Sequence, residues 1–196
     1  AIVKKTKSRF LAKKLFKPVR ELIFGDSICF LISGGSGIPQ NVLEFFNVIG
    51  YHLANGYGMS EVGITSVETS KKFKHLTDCS IGKPFTQVEY KLNDKGELLI
   101  KGKSVAKDIL INGKVEDRPD GWYNRSDVAK QVDGRKVIMG RAADMIIGPD
   151  GENINPEYYE TKINLPNAHK VCIAMVDDVP SLIIEINKFS RLNNLL

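Results

Sequence analysis

Cysteine is scarce and scattered. Cys29, Cys79 and Cys172 are three in number and far apart in the 196-residue chain, and each sits among apolar or small neighbours. An odd count without close spacing argues against a disulfide framework and against a zinc site. His52, His75 and His169 do not cluster either, so no His/Cys metal centre is expected. A reducing compartment is expected, and the cytoplasm is the simplest one. Long apolar runs are also missing. The longest, Ile28 to Ile32 and Val171 to Val176, have strand length and fall far short of the roughly 20 residues that cross a membrane. The chain does not open on Met and shows no signal peptide, so the numbering is expected to begin inside a longer protein.

Acidic residues are absent from one segment. Residues 1 to 20 hold eight Lys or Arg and no Asp or Glu, which leaves 20 basic and 23 acidic residues elsewhere, a net of −3. The formal charge of +5 therefore belongs to that segment and describes no general cationic surface, which speaks against nucleic-acid binding. Within residues 8 to 24, Phe10, Leu11, Leu15, Val19, Leu22 and Ile23 recur at helical spacing with Lys13, Lys14 and Lys17 between them, and Pro18 kinks the run. A packed helix with a solvated cationic face explains this. A membrane-surface helix making weak peripheral contact is the alternative.

What is present is ordinary globular material, with 42% hydrophobic and 26% charged residues. Residues 28 to 33 read as a strand. The loop Gly34-Gly35-Ser36-Gly37 follows, then a helix opened by Pro39 and closed by Gly50. Residues 51 to 54 are a second strand, ending at an Asn55-Gly56 turn. This alternation predicts α/β organisation with a parallel sheet. Beyond residue 66 the texture changes to short strands, 86 to 92, 97 to 101 and 136 to 139, separated by turns at Asn93-Asp94-Lys95-Gly96 and Asp133-Gly134, a small antiparallel unit. Residues 144 to 147, a turn at Pro149-Asp150-Gly151, a helix from about Pro156 to Ile163 and strand candidates at 170 to 176 and 182 to 187 complete the reading.

Four constellations can carry chemistry. A glycine loop between strand and helix exposes backbone N–H groups to an anion, though Gly-Gly-Ser-Gly lacks the Lys of a Walker loop and also suits a plain tight turn. Asn55-Gly56-Tyr57-Gly58-Met59-Ser60-Glu61 offers an aromatic face between glycines, then a hydroxyl and a hard carboxylate of the kind Mg²⁺ prefers. An ordinary loop with a buried Tyr is the other reading. In Asp120-Gly121-Trp122-Tyr123-Asn124-Arg125-Ser126-Asp127, the Asp127 carboxylate can accept two hydrogen bonds from a vicinal diol; a hairpin with a charged edge is the alternative. In Gly140-Arg141-Ala142-Ala143-Asp144, Arg141 can reach a ribose or phosphate oxygen, or form a surface salt bridge.

Taken in order, LISGGSG, NGYGMSE, IGKPF, GELLIKG, DGWYNRSDVA and GRAADMII…GENINPEYYE resemble the adenylate-forming family of acyl-CoA synthetases, luciferases and peptide-synthetase adenylation domains, over roughly residues 20 to 190. The basic segment ahead of LISGG looks most like the fatty-acyl-CoA synthetase branch. The resemblance implies an ATP-dependent ligase that activates a small-molecule carboxylic acid as acyl-adenylate and passes the acyl group to coenzyme A, with ATP/AMP, Mg²⁺ and coenzyme A as cofactors. It implies that residues 1–139 end a large adenylation domain, a parallel sheet plus the antiparallel unit. Residues 140–196 would then hold the hinge and the start of a small α+β C-terminal domain.

By the same resemblance, Gly34, Gly35 and Ser36 match the loop beside the adenine and acyl pocket. Asn55, Gly56, Tyr57 and Gly58 match the adenine-binding stretch, with Tyr57 against the base. Ser60 and Glu61 match the catalytic hydroxyl near phosphate and the Mg²⁺ carboxylate. Asp127 and Arg141 match the ribose contacts, and Gly151 and Glu152 a loop near the coenzyme A path. Arg125-Ser126 stands where the family usually has Thr-Gly, and Ala143 where it has a hinge Asp or Lys. The family's Ser/Thr/Gly-rich phosphate loop and its C-terminal catalytic Lys are not in these 196 residues, which are expected to be inactive by themselves. A carrier-protein or peptide-synthetase type of adenylation domain and a non-catalytic AMP-binding-like module are the alternatives.

Overall fold

The computed structural model describes residues 9–116, 121–148 and 153–186. The chain divides into two compact units, Ala1–Ile138 and Met139–Leu196.

The first unit opens with two short helices, α1 (Arg9–Leu15) and α2 (Lys17–Ile23), where a single helix was predicted. The break falls at Phe16, two residues ahead of Pro18, whose ring is accommodated in the first turn of a new helix. Their burial also departs from expectation. Ala12 and Arg20 are buried, whereas Phe10 is 80% and Leu22 88% exposed. Arg20 is drawn inward by polar partners rather than by helical periodicity. Its guanidinium pairs with Asp26 and donates to the Ile49 carbonyl at 3.1 Å, while Tyr51 Oη donates back to the Arg20 and Gly25 carbonyls.

Strand β1 (Leu31–Ser33), helix α3 (Gln40–Val48), β2 (Leu53–Met59) and β3 (Gly63–Val67) follow. β1 and β2 are parallel, as the α/β alternation predicts, and β2 and β3 are antiparallel, so the sheet is mixed in the order β1-β2-β3. The expected turn at Asn55-Gly56 does not form: both residues lie inside β2. Asn-Gly is a turn signal only where the chain is free to reverse. Here the Asn55 side chain is buried and donates to the Cys79 carbonyl at 3.0 Å. The reversal comes later, at Ser60–Glu61.

Helix α4 (Phe73–Leu76) leads to a sheet ordered β4-β5-β8-β9, made of β4 (Val88–Leu92), β5 (Glu97–Gly102), β8 (Tyr123–Val132) and β9 (Arg135–Arg141). A separate hairpin pairs β6 (Ile109–Ile111) with β7 (Lys114–Glu116). The two predicted strands at 86–92 and 97–101 and the turn at Asp133-Gly134 are present. β8, the longest strand, was not expected, because its exposed polar run Lys130-Gln131 and its charged stretch around Arg125 mask the alternation. The core here gathers Val62, Ile81, Leu98, Ile100, Tyr123 and Ala129, with Tyr57, Met59 and Tyr90 packed against it. The end of β2 therefore leans on the antiparallel sheet.

The second unit begins with the last residues of β9 and a 3₁₀ turn, Ala142–Asp144. β10 (Ile146–Ile147) and β11 (Asn153–Ile154) form an antiparallel pair. α5 (Pro156–Glu160) is capped by Asn155, whose side chain accepts from the Tyr158 N–H at 3.2 Å. β12 (Ala168–Val176) and β13 (Val179–Ile186) form a hairpin, and Glu160 anchors α5 to it by accepting the Ile173 N–H at 2.7 Å. The helix is shorter than the predicted 156 to 163. The expected turn at 149 to 151 lies outside the described residues.

Candidate functional site

The glycine loop and the Tyr57 stretch meet because β1 and β2 are parallel neighbours with Ser33 opposite Asn55, 22 residues on. A Cβ on Gly34 would stand 3.1 Å from the Gly56 carbonyl oxygen, so the two backbones approach as closely as glycine permits. Ser36 is exposed beyond this contact. Further along β2 the pairing with β3 slips between Tyr57 and Gly58. A side chain at Gly58 would lie 2.4 Å from the Gly63 carbonyl, and only glycine fits.

Tyr57 is fixed from three sides. Its phenol donates to Asp127 Oδ2 at 2.5 Å, its carbonyl accepts from Thr65 Oγ1 at 3.1 Å, and its ring meets Tyr90 edge-on at 6.3 Å between centroids. Burial drives the phenol above its ordinary range, and the hydrogen bond and charge of Asp127 push it further, so it stays a proton donor. Tyr90, also raised by burial, shares its hydroxyl with Thr65 and Ser66.

Asp127 reaches Tyr57 because β8 bulges. Glu97 pairs with Val128 and Leu99 with Asn124, which leaves extra residues of β8 looped out around Arg125-Ser126-Asp127. Ser126 takes a left-handed φ of +62° at the apex. Such bulges re-aim side chains and recur beside binding sites. This one is stapled from outside. Asn124 Oδ1 accepts the Ser126 N–H at 2.7 Å, and Asn124 Nδ2 donates to Glu97 at 2.9 Å. The Asn124 amide bond, with a second from Asn93, holds the Glu97 carboxyl below its usual range.

Ser60 and Glu61 sit in the turn joining β2 to β3. Ser60 is exposed. Glu61 faces the bulge, with its Oε2 at 3.4 Å from Arg125 Nη1. Tyr57, Glu61 and Asp127 thus form one constellation with Arg125, a residue that the sequence marked only as a departure from the family pattern. Arg141 belongs to the second unit, where it borders a cleft of about 460 Å³ with Asp144, Asn155, Glu157 and Glu160. Gly151 and Glu152 lie outside the described residues.

Whether the site suits Mg²⁺ can be tested on its donors. Among the described residues no group of three or more His, Cys, Asp or Glu is placed to hold a metal ion. Glu61 is a lone hard carboxylate, and Mg²⁺ commonly takes one or two carboxylates with substrate phosphates and water. The donor set therefore fits a metal shared with a nucleotide and no metal held by protein alone.

The sequence model described as AMP-binding enzyme matches residues 4–110, which takes in the glycine loop, all of β2 and Glu61. The chain belongs to the AMP-binding enzyme family. It is 32% identical over 162 residues to the Drosophila melanogaster long-chain-fatty-acid–CoA ligase heimdall, a match covering 79% of this chain and 24% of that protein. It is 30% identical over 151 residues to the Arabidopsis thaliana probable acyl-activating enzyme 16, chloroplastic, covering 64% of this chain and 20% of that one. The chain thus spans about a quarter or less of the length of these curated relatives. Among solved structures it resembles the o-succinylbenzoate CoA synthetase of Bacillus subtilis in complex with its acyl-adenylate intermediate, with a TM-score of 0.71 at 23% identity, covering 93% of this chain and 42% of that one. That likeness supports the α/β fold. Among the described residues no helix is long and apolar enough to cross a membrane.

Sequence reasoning missed one polar cluster altogether. Arg135, at the start of β9, is 6% exposed, with Nη1 3.2 Å from Glu68 Oε2 and Nη2 on Asp78. Ser80 Oγ and the Ser70 N–H donate to the same Glu68 carboxylate, each at 2.9 Å. These residues are spread from 68 to 135, and no spacing rule links them.

Cys79 lies beside this cluster at a left-handed φ of +60°. Burial, then the carboxylates of Asp78 and Glu44, raise its thiol pKa above the ordinary value, whereas Cys29 and Cys172 are exposed. Iodoacetamide at pH 8 should therefore alkylate Cys29 and Cys172 well before Cys79. Peptide mass spectrometry over a time course reads the order, and modification of Cys79 first would contradict the burial argument.

Proposed function

We propose that this chain carries the base, ribose and metal-side portion of an ATP-dependent acid–thiol ligase, which activates a carboxylic acid, of the fatty class, as its acyl-adenylate and transfers the acyl group to coenzyme A. The observation that carries this reading is the meeting of Tyr57 with Asp127 across 70 residues, with Glu61 facing the same bulge through Arg125. The names of the relatives, fatty-acid–CoA ligase and acyl-activating enzyme, support the substrate class.

In this reading Tyr57 presents its ring to adenine. Asp127 accepts the ribose hydroxyls as charge-assisted hydrogen bonds. Arg141 is assigned to the ribose by the family motif alone, and Gly34, Gly35 and Ser36 to the base and acyl side. Asn55, Gly56 and Gly58 shape the strand that holds the ring. Ser60 and Glu61 are assigned to the phosphates, and Gly151 and Glu152, by the family motif, to binding coenzyme A. Mg²⁺ at Glu61 would offset charge on the phosphate oxygens. The acid's own carboxylate attacks the α-phosphate and pyrophosphate leaves, so catalysis rests on positioning and charge, and no activated Ser or Cys is required. Residues 1–139 and 140–196 are proposed as the end of the large domain and the beginning of the small one.

The test is acid-dependent ATP–pyrophosphate exchange over a panel of fatty and aromatic acids. The intact protein should exchange with at least one acid, while residues 1–196 alone should not, because losing even one charge-stabilising donor can cost about 10²–10³ in rate. Exchange by the 196 residues alone would contradict the assignment of roles. Silence of the intact protein across the panel would favour the non-catalytic reading.

A further inference from the structure

Arg125 is placed by design of the backbone rather than by chance on a surface. It emerges from the β8 bulge, whose apex is pinned by the Asn124–Glu97 hydrogen bond and by the Ser126 N–H on Asn124. The same bulge delivers Asp127 to Tyr57. The guanidinium then lies 3.4 Å from Glu61 Oε2, with both side chains about one-third exposed. An Arg cannot yield this position by losing its proton; it must move. A divalent cation approaching Glu61 meets that fixed positive charge.

We propose that Arg125 competes with the metal for Glu61 and changes partner when nucleotide arrives. The guanidinium leaves the Glu61 carboxylate for phosphate oxygens, an equally good anionic partner for a planar fork of donors, and Glu61 is released to the metal. Metal association at this site is thereby tied to nucleotide, and free Mg²⁺ does not load it. The proposal rests on the nucleotide site described above and adds to it the role of a positioning residue.

The experiment measures the affinity of the intact protein for ATP by titration calorimetry, in EDTA and in saturating Mg²⁺, and takes the ratio of the two dissociation constants. Removing a like charge from beside the metal should raise the Mg²⁺ enhancement by about tenfold in Arg125→Met. In the same variant, binding without metal should weaken, because a phosphate partner is lost. Arg125→Lys, which keeps the charge but loses the fork, should fall between the two, and it carries the test if the Met variant does not fold. In a Glu61→Gln background the ratio should no longer respond to residue 125, a coupling that a purely structural Arg would not show.

An unchanged ratio in Arg125→Met, or the same tenfold rise in the Glu61→Gln background, would overturn the competition while leaving nucleotide binding intact. Absence of ATP binding by the unmodified protein under both conditions would refute the nucleotide site itself, and this inference with it.

Discussion

Arg135→Met should destabilise the first unit by about 3–5 kcal/mol, the cost of removing one member of a buried ion pair. Arg135 is 6% exposed, and its two terminal nitrogens serve two carboxylates, those of Glu68 and Asp78. Asp78 retains some access to water once the Arg is gone. Glu68, 5% exposed and enclosed by Ser70 and Ser80, does not. Its negative charge would remain in a poorly solvated place with only neutral donors around it. The loss should therefore come from the orphaned carboxylate more than from the missing attraction, and a second substitution can separate the two. Arg135→Met combined with Glu68→Gln should recover part of the loss, since Gln can still accept from Ser80 and carries no charge. Urea denaturation followed by the fluorescence of Trp122, whose ring lies 4.2 Å beneath the Lys91 ammonium, reads both variants. A loss below 1 kcal/mol for Arg135→Met, or a double variant worse than the sum of its parts, would show that the cluster relaxes into solvent.

Tyr57→Ala should weaken ATP binding by the intact protein by about 1–3 kcal/mol, the usual worth of one base stacked on an aromatic ring. The structure complicates that single substitution, because Tyr57 is also the hydrogen-bond partner of Asp127 and packs on the core of the antiparallel sheet. Tyr57→Phe separates the roles. It keeps the ring and the packing and removes only the phenol. Asp127, 7% exposed, would then lack one donor, which should cost about 1–3 kcal/mol of stability. Tyr57→Phe should therefore lose stability while keeping most of its ATP affinity, and Tyr57→Ala should lose both. Calorimetric titration with ATP and thermal melts of the two variants make the comparison. If Phe binds ATP as weakly as Ala does, the phenol and not the ring is the contact. If both bind normally, Tyr57 is packing alone.

The amino-acid sequence by itself was enough for the order of the motifs, and with it the family. It also gave the parallel β1-α3-β2 unit, the β4-β5 hairpin and the close strand-to-helix turn at Gly34. Each of these depends on neighbours in the chain: a glycine where backbones crowd, Pro39 ahead of a helix, Asn93 to Gly96 at a reversal. Such signals act over a few residues and survive in one dimension.

The tertiary structure decided the rest. Asn55-Gly56 reads as a turn, yet it runs straight through β2 because β1 and β3 flank it and Cys79 takes the Asn55 amide. β8 was hidden because its bulge breaks the two-residue alternation at the very residues that carry Asp127. Arg20 ends the basic segment of residues 1 to 20, and partners 6 and 29 residues away draw it inside. Arg125 and Glu61 are 64 residues apart, and Arg135 and Glu68 are 67 apart. Charge pairing at such separations follows from strand order and register, which no local periodicity encodes, so which carboxylate is neutralised by which guanidinium is settled only when the sheets form.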